Sequence, residues 1–449
     1  MNKTAATLLC AGALAAYAGT IQAAVSADEA KKLGAELTAV GAEKAGNKEG
    51  TIPEYTGGLT TPPAGFDKSK NVRIDPFASE KPLYSIDAKN MDKYADKLSE
   101  GTKALMKANA DYRIDVYPTH RTAAYPKFVL DNTLKNATRA KLDAKGDLEG
   151  ARAGIPFPIP KSGVEAMQNF VARYHGMTFL VPKFSAYNSD SAGKVTLASQ
   201  GAYLQESVYY DEAKTELTLL NRVRTDYTGP ARRAGEAIMV VDAIDSERGR
   251  RAWQYLPGQR RVRLAPDLAY DTPNPSTAGM ATYDDVNLFN GRMDRFDFKL
   301  VGKKEVYVPY NTYRFTYNDK PEEVFQAKSI NPSVVRWELH RVWVVDATLK
   351  EGKRHVYSRR TFYLDEDSWA ALASDQYDGR NQLWRAGFAY LTQSYDMPVP
   401  TTLTAGHYDL IAGTYYMNIW PGTGGVKLSD THLPDASWTG DALASQGVR

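Results

Sequence analysis

The 449-residue chain contains a single cysteine, Cys10. It lies in an N-terminal stretch with the marks of a removed leader, so the mature chain is expected to have no thiol. That excludes disulfides and cysteine catalysis, and it suits an oxidising compartment. Past the leader, no apolar run approaches the roughly 18 residues needed to cross a bilayer. A large charge of one sign is missing too: 56 Lys and Arg stand against 53 Asp and Glu. That near-balance argues against nucleic acid as the main partner. The sequence has no Gly-x-Ser-x-Gly elbow, no Walker loop and no His-Glu-x-x-His pair. The acidic runs Asp284-Asp285 and Asp365-Glu366-Asp367 lack calcium-loop spacing and read as caps and turns.

The leader is read from Lys3 as a basic start, Ala5 to Ala18 as a short apolar segment, and Ala23 or Ala24 as a small residue at the cleavage point. Residues 1–23 are therefore expected to be a signal peptide. Cys10 follows Leu8-Leu9 rather than a small residue, so acylation there is not expected. The protein is expected in the periplasm.

What the chain does have is strands. Arg251 to Leu264 reads as a hairpin, with Pro257-Gly258 making a type II turn in which Gly258 takes the positive φ. Alternation puts Trp253 and Tyr255 on one face, expected to point inward, and Arg261 and Arg263 opposite to Val262 and Leu264. A period of two begins near Met177. It predicts strands at 177–187, 194–210, 214–227 and 236–244 before this hairpin. Further strands are expected at 295–308, 311–318, 334–349, 355–364, 369–376, 382–397, 402–411 and 413–419. Outside the interruption at 265–334 these make eleven or twelve mostly sequential strands, which must curl, close or split. Helices are expected at 26–37, 91–109 and 162–174. Ser26 and Glu29 form a capping box for the first, and Thr282 with Asp285 form one for a short helix further on.

The expected fold is mainly β with flanking helices (α+β): a large curved antiparallel sheet or incomplete β-barrel. Residues 24–175 form an N-terminal arm with helices packed on the sheet, 176–420 the half-barrel with a lid insertion at about 265–334, and 421–449 a tail. The Pro- and Gly-rich stretch 50–63 is read as an ordered strap, anchored by Ile52, Tyr55 and Leu59.

His340 and His355, on neighbouring strands, were tested as a metal pair. A tight turn at Gly352 would set His355 opposite Thr348 and His340 opposite Tyr363, too far apart to share an ion. No metal and no cofactor are expected. The candidate cavity residues are Trp253, Tyr255, Leu288, Phe289, Trp337, Leu339, Trp343, Phe362 and Leu364, which form either one dry core or the lining of a pocket in a curved sheet. On strand 334–349 both faces carry apolar residues, so something must cover each. The basic runs Arg232-Arg233 and Arg260, Arg261, Arg263 read as solvated loops or as a docking patch for an acidic partner or anionic head group.

Trp253-x-Tyr255-x-Pro257 followed by Arg261-Val262 resembles the strand-turn-strand signature of periplasmic lipoprotein carriers with the LolA-like fold. Other passages resemble a bacterial domain-of-unknown-function family labelled outer-membrane lipoprotein-sorting-like. These are Val40 to Asn47, Thr51-Ile52-Pro53, Thr56-Gly57-Gly58, Gly229 to Arg233, Gly291 to Phe296 and Val308 to Asn311. The resemblance covers nearly all of the mature chain. It implies an incomplete barrel around an apolar cavity under a helical lid, handling of lipophilic cargo, and service alongside an RND-type inner-membrane transporter and an outer-membrane protein. It assigns no residue a role.

The expected function is a periplasmic carrier or adaptor for a lipid-like cargo, not an enzyme. The rival readings are a hydrolase acting on a lipid or glycan and a non-catalytic structural subunit.

Overall fold

A computed structural model describes residues 25–447, apart from 215, 267 and 269. The leader expected at 1–23, with Cys10, lies outside the described residues. Among those described, no helix is long and apolar enough to cross a membrane.

Sixteen strands form one sheet. In chain order they are β1 (84–87), β2 (113–116), β3 (178–189), β4 (195–206), β5 (219–229), β6 (237–243), β7 (250–256), β8 (261–264), β9 (296–309), β10 (337–349), β11 (359–365), β12 (371–377), β13 (383–394), β14 (399–409), β15 (414–420) and β16 (427–429). Their spatial order is β1-β2-β10-β11-β12-β13-β14-β15-β3-β4-β5-β6-β7-β8, with β9 also on β10 and β16 on β3. Neighbours are antiparallel except β2 and β10, joined at Val116 and Trp337. The path has two free ends, so the sheet is not closed into a barrel.

Both faces of β10 to β14 are buried, as the doubly apolar pattern of strand 334–349 requires. One face, with Tyr363, Ala373 and Phe388, lies under the N-terminal arm and residues 310–335. The other, with Phe362 and Leu364, lies under residues 283–289 and helix α1 (163–171). The arm is held by polar contacts. Arg121 makes two bonds to Asp367, of 2.8 and 2.7 Å. Trp369 donates its indole N–H to the Val40 carbonyl. The strap is ordered: Ile52 is buried, and the Tyr55 hydroxyl donates to Ala123.

Several elements differ from the sequence expectation. The first helix stops at Ala30 although its capping box forms; Gly34 takes φ +83° just beyond. The 91–109 helix is two pieces, a 3-10 segment over 91–97 and a helix over 100–108, separated by extended Leu98. Residues 313–316 are helical rather than a strand. Pro257-Gly258-Gln259 is a 3-10 turn, and Arg260, not Gly258, takes the positive φ, +48°. The link between β10 and β11 is a long loop, not a four-residue turn. It sets Thr348 opposite Arg359 and Val344 opposite Tyr363, a four-residue shift from expectation.

Helix 100–108 approaches the sheet at Gly101, where a Cβ would lie 2.5 Å from the Asp375 carboxylate. The Gly101 amide donates to that carboxylate at 2.8 Å, and the Tyr363 hydroxyl at 2.9 Å. Burial pushes Asp375 up to about 6, from an ordinary 3.8. The unfolded chain therefore releases this proton first, and folding stability falls as pH rises from about 4 to about 6. Asp375→Asn removes this fall, and denaturant midpoints of the two proteins between pH 4 and 7 check it.

Candidate functional site

The inner face of β4 to β7 is not filled. Helix α1, β5, β9 and the segment 287–294 enclose a cavity of about 330 Å³ there. A smaller chamber of about 70 Å³ abuts it and shares Tyr203, Val223, Arg250 and Asn290.

The walls follow from local structure. Ser162 caps α1 by accepting from the Glu165 amide, and the helix then presents Val164, Phe170 and Val171 to the cavity. A Cβ on Gly163 would lie 2.5 Å from the Phe298 backbone, so α1 can sit this close to β9 only with glycine there. Alternation on β5 turns Val223 inward, and on β7 it turns Arg250 inward while Trp253 and Tyr255 point outward. The segment after Thr282 supplies Phe289, Asn290 and Met293, and β9 adds Phe296 and Phe298.

Buried charges pin that segment at two points. Arg360 is fully buried and donates to Asp284 at 2.8 Å, Asp285 at 3.3 Å and the Leu288 carbonyl at 2.9 Å. His355 lies 2.9 Å from Asp284, and the Tyr357 hydroxyl donates to Asp285 at 2.9 Å. Burial alone would raise Asp284, but Arg360 and His355 hold it well below the usual carboxylate range. Arg250 makes the second pin. It bonds Asp242 twice, at 2.7 and 2.9 Å, and the Asn290 side chain at 2.6 Å.

Of the nine candidate cavity residues, Phe289 lines the cavity. Leu288, Phe362 and Leu364 sit behind it in a dry cluster, with Trp343 packed against its edge. Trp337 and Leu339 belong to the separate cluster around Phe388. Trp253 and Tyr255 pack with Met239 against Trp438 and Leu443 of the C-terminal segment, away from the cavity. The inward direction expected for this pair is thus corrected: the C-terminal tail covers the hairpin face expected to look into the sheet.

The basic candidates also divide. Arg233 is buried, stacked 3.7 Å above Tyr227 and paired with Glu236 at 3.0 Å, so it is spent inside the protein. Arg232, Arg260, Arg261 and Arg263 are exposed, the last three at the free edge β8. Charge on an edge strand also discourages strand addition by another chain.

Neither histidine considered as a metal ligand lines the cavity, although His355 packs on the wall residue Phe296, ring centroids 5.1 Å apart. His340 stacks on Tyr310 at 3.7 Å and lies 3.1 Å from Glu338. His340, Asp365 and Asp367 could each offer an atom to one ion. Asp367 already binds Arg121, and Asp365 accepts from Ser368. Sequence reading missed Arg173, His175, Val223, Arg250 and the 141–149 ribbon, all at the cavity. Only the inward phase of Val223 on its alternating strand was a usable signal.

The fold is thus a partly open, mostly antiparallel sheet with a walled cavity under a pinned segment. The chain belongs to the DUF1329 family (Protein of unknown function), which matches residues 85–444. It is 42% identical over its whole length, and the whole of the relative, to the uncharacterized protein PA3922 of Pseudomonas aeruginosa. Among solved structures it is similar to a Vibrio parahaemolyticus domain described as an outer membrane lipoprotein-sorting protein domain. That match has 15% identity and a TM-score of 0.43, over 63% of this chain and 98% of that one. A DUF1329 family protein from Desulfovibrio piger gives 16%, 0.40, 63% and 95% in the same order. The LolA superfamily protein NE2245 from Nitrosomonas europaea gives 12%, 0.38, 63% and 100%.

Arg250→Met should break the second pin and leave Asp242 without its cation. Losing one partner of a largely buried pair costs about 3 kcal/mol or more. Amide exchange should rise across 283–290 in the variant, and exchange mass spectrometry checks it.

Proposed function

We propose that the protein is a periplasmic carrier that holds a lipophilic cargo in the cavity between α1, β5 and residues 287–294. The observation that supports it most is the cavity itself: walled by Val164, Phe170, Leu220, Val223, Phe289 and Phe298, and left unfilled in a sheet whose other half is packed on both faces. Pockets of about 300 Å³ and above, mostly apolar with a few placed polar groups, are the usual form of a small-molecule site. Burying acyl surface yields about 0.8 kcal/mol per methylene. Ten methylenes give about 8 kcal/mol gross, from which the cost of association, about 4 kcal/mol or more, must be subtracted, so micromolar binding calls for a longer chain or an added polar contact.

Entry is by the ribbon 141–149 rather than by the segment 283–290. The ribbon has two short strands, and its tip is tied to Ser246 through Asp147 and to exposed Glu247 through Lys145. The exposed Lys145–Glu247 tie contributes little, whereas 283–290 is clamped by buried ion pairs. The exposed edge arginines Arg260, Arg261 and Arg263 are the surface proposed to dock an acidic partner. An RND-type transporter and an outer-membrane protein are the proposed neighbours in the pathway.

Binding is tested by fluorescence titration with N-phenyl-1-naphthylamine, a neutral apolar probe. Wild type should bind saturably, and Val223→Trp, which puts an indole at the residue the two chambers share, should weaken binding at least about tenfold while keeping its circular dichroism spectrum. A folded wild type that shows no saturable binding of this or any acyl ligand removes the carrier reading and leaves a structural role. The compartment has its own check: N-terminal sequencing of the exported form should begin at Ala24 or Val25.

A further inference from the structure

We propose that the cargo is an amphiphile with an anionic head group, a carboxylate or a phosphate, and that Arg173 receives that group. The proposal rests on the carrier reading and adds the chemistry of the ligand's polar end.

The charges of the cavity wall carry the argument. Lys145 faces Glu247, Arg250 faces Asp242, Arg292 faces Asp294 and Lys350 faces Asp297, each within salt-bridge distance. Arg173 differs from all four. It lines the same cavity, is 6% exposed, and has no carboxylate within 4 Å among the described residues. Its contacts are neutral: the Phe170 carbonyl at 2.6 Å, the Thr402 hydroxyl at 3.4 Å, and the face of the Phe170 ring at 4.2 Å. The Phe170 carbonyl belongs to the last turn of α1, so helix capping accounts for one of the five guanidinium N–H donors. Thr402 takes a second, at a long distance. A buried cation without a counterion is costly, and native proteins pair such groups.

The surroundings agree with an anion site. His175 is also buried at the cavity wall, and it makes no hydrogen bond among the described residues. Burial and the neighbouring Arg173 charge keep its imidazole well below its ordinary value, so at neutral pH it is uncharged and can donate to an anion. Burial pulls Arg173 itself only to about 10, so it stays a cation at neutral pH. A guanidinium offers two parallel N–H groups, which match the paired oxygens of a carboxylate or phosphate. From Arg173 the apolar wall runs along Leu220, Val223 and Phe289, where the chain of such a ligand would lie.

Displacement of bound N-phenyl-1-naphthylamine by three ligands of one chain length tests this: dodecanoate, dodecyl phosphate and dodecanol. Wild type should prefer at least one anion over the alcohol by about tenfold or more, the order expected for a charge-assisted hydrogen bond. Which anion wins identifies the head group. In Arg173→Met the preference should vanish, the anions and dodecanol then displacing the probe at similar concentrations, and Arg173→Lys should restore part of it. If wild type binds alcohol and anions equally, the head-group assignment is wrong and the carrier reading stands. If no arm displaces the probe and none binds directly, both are overturned. Should Arg173→Met not fold, the three wild-type arms with Arg173→Lys decide the matter by themselves.

Discussion

The ion cluster around Arg360 is the contact on which the arrangement depends. Its guanidinium reaches two carboxylates and a carbonyl of one short segment, Asp284 to Leu288. The segment could not rest on the sheet by burial of apolar area alone. Asn287 and Leu288 both take positive φ, at +53° and +72°, which non-glycine residues adopt only when the surroundings fix them. Thr282 and Asp285 close the first turn, and Arg360 and Arg385 neutralise the acids that the turn carries into the interior. The backbone is thereby set so that Phe289 faces the cavity at one end of the dry cluster with Phe362. Removing Arg360 would strand two buried carboxylates, the situation in which a buried pair is most expensive to break.

Arg250 repeats the device on the other half of the sheet. Arg360 is on β11 and Arg250 on β7, and residues 284–290 touch both. The segment thus bridges distant strands of a sheet that does not close. An open sheet of this length tends to twist and curl. A strut fixed to two of its strands by directional, charge-assisted bonds sets how far that curl goes. Cavity size is therefore a consequence of where two arginines sit.

Much of the sheet was legible because strand period is a local property. The strands from 178 to 256 and from 337 to 420 lie close to where alternation put them. Burial of β10 on both sides followed from its doubly apolar pattern. The direction of the Trp253 face was not legible. Period two separates two faces but does not say which one looks inward, and a C-terminal segment bearing Trp438 settled it from far away in sequence. The pairing of β10 with β11 was misread because Gly352 looked like a tight turn, while His355 is drawn out of register to reach Asp284. The aromatic residues drew attention as a cavity lining, yet most of them close the core. Arg173 was invisible for the opposite reason: one arginine at a helix end carries no pattern, and its meaning lies in a missing partner that only three dimensions can show.

The contrast between the two halves of the sheet bears on whether the cavity is a packing defect. From β10 to β14 the chain fills both faces with Tyr363, Phe388, Phe362 and Leu364, and many of the polar groups buried there are tied into ion pairs or hydrogen bonds. The same chain had the means to fill the inner face of β4 to β7. It placed instead Arg173, His175, Gln205 and Asn221 along a wall that also carries Leu220, Val223, Phe289 and several paired charges. A void left by imperfect packing would be lined by apolar groups, since polar ones buried without partners cost more than a gap. Apolar groups along the wall, with an unpaired cation and an unbonded imidazole beside them, are what an amphiphile requires of its site.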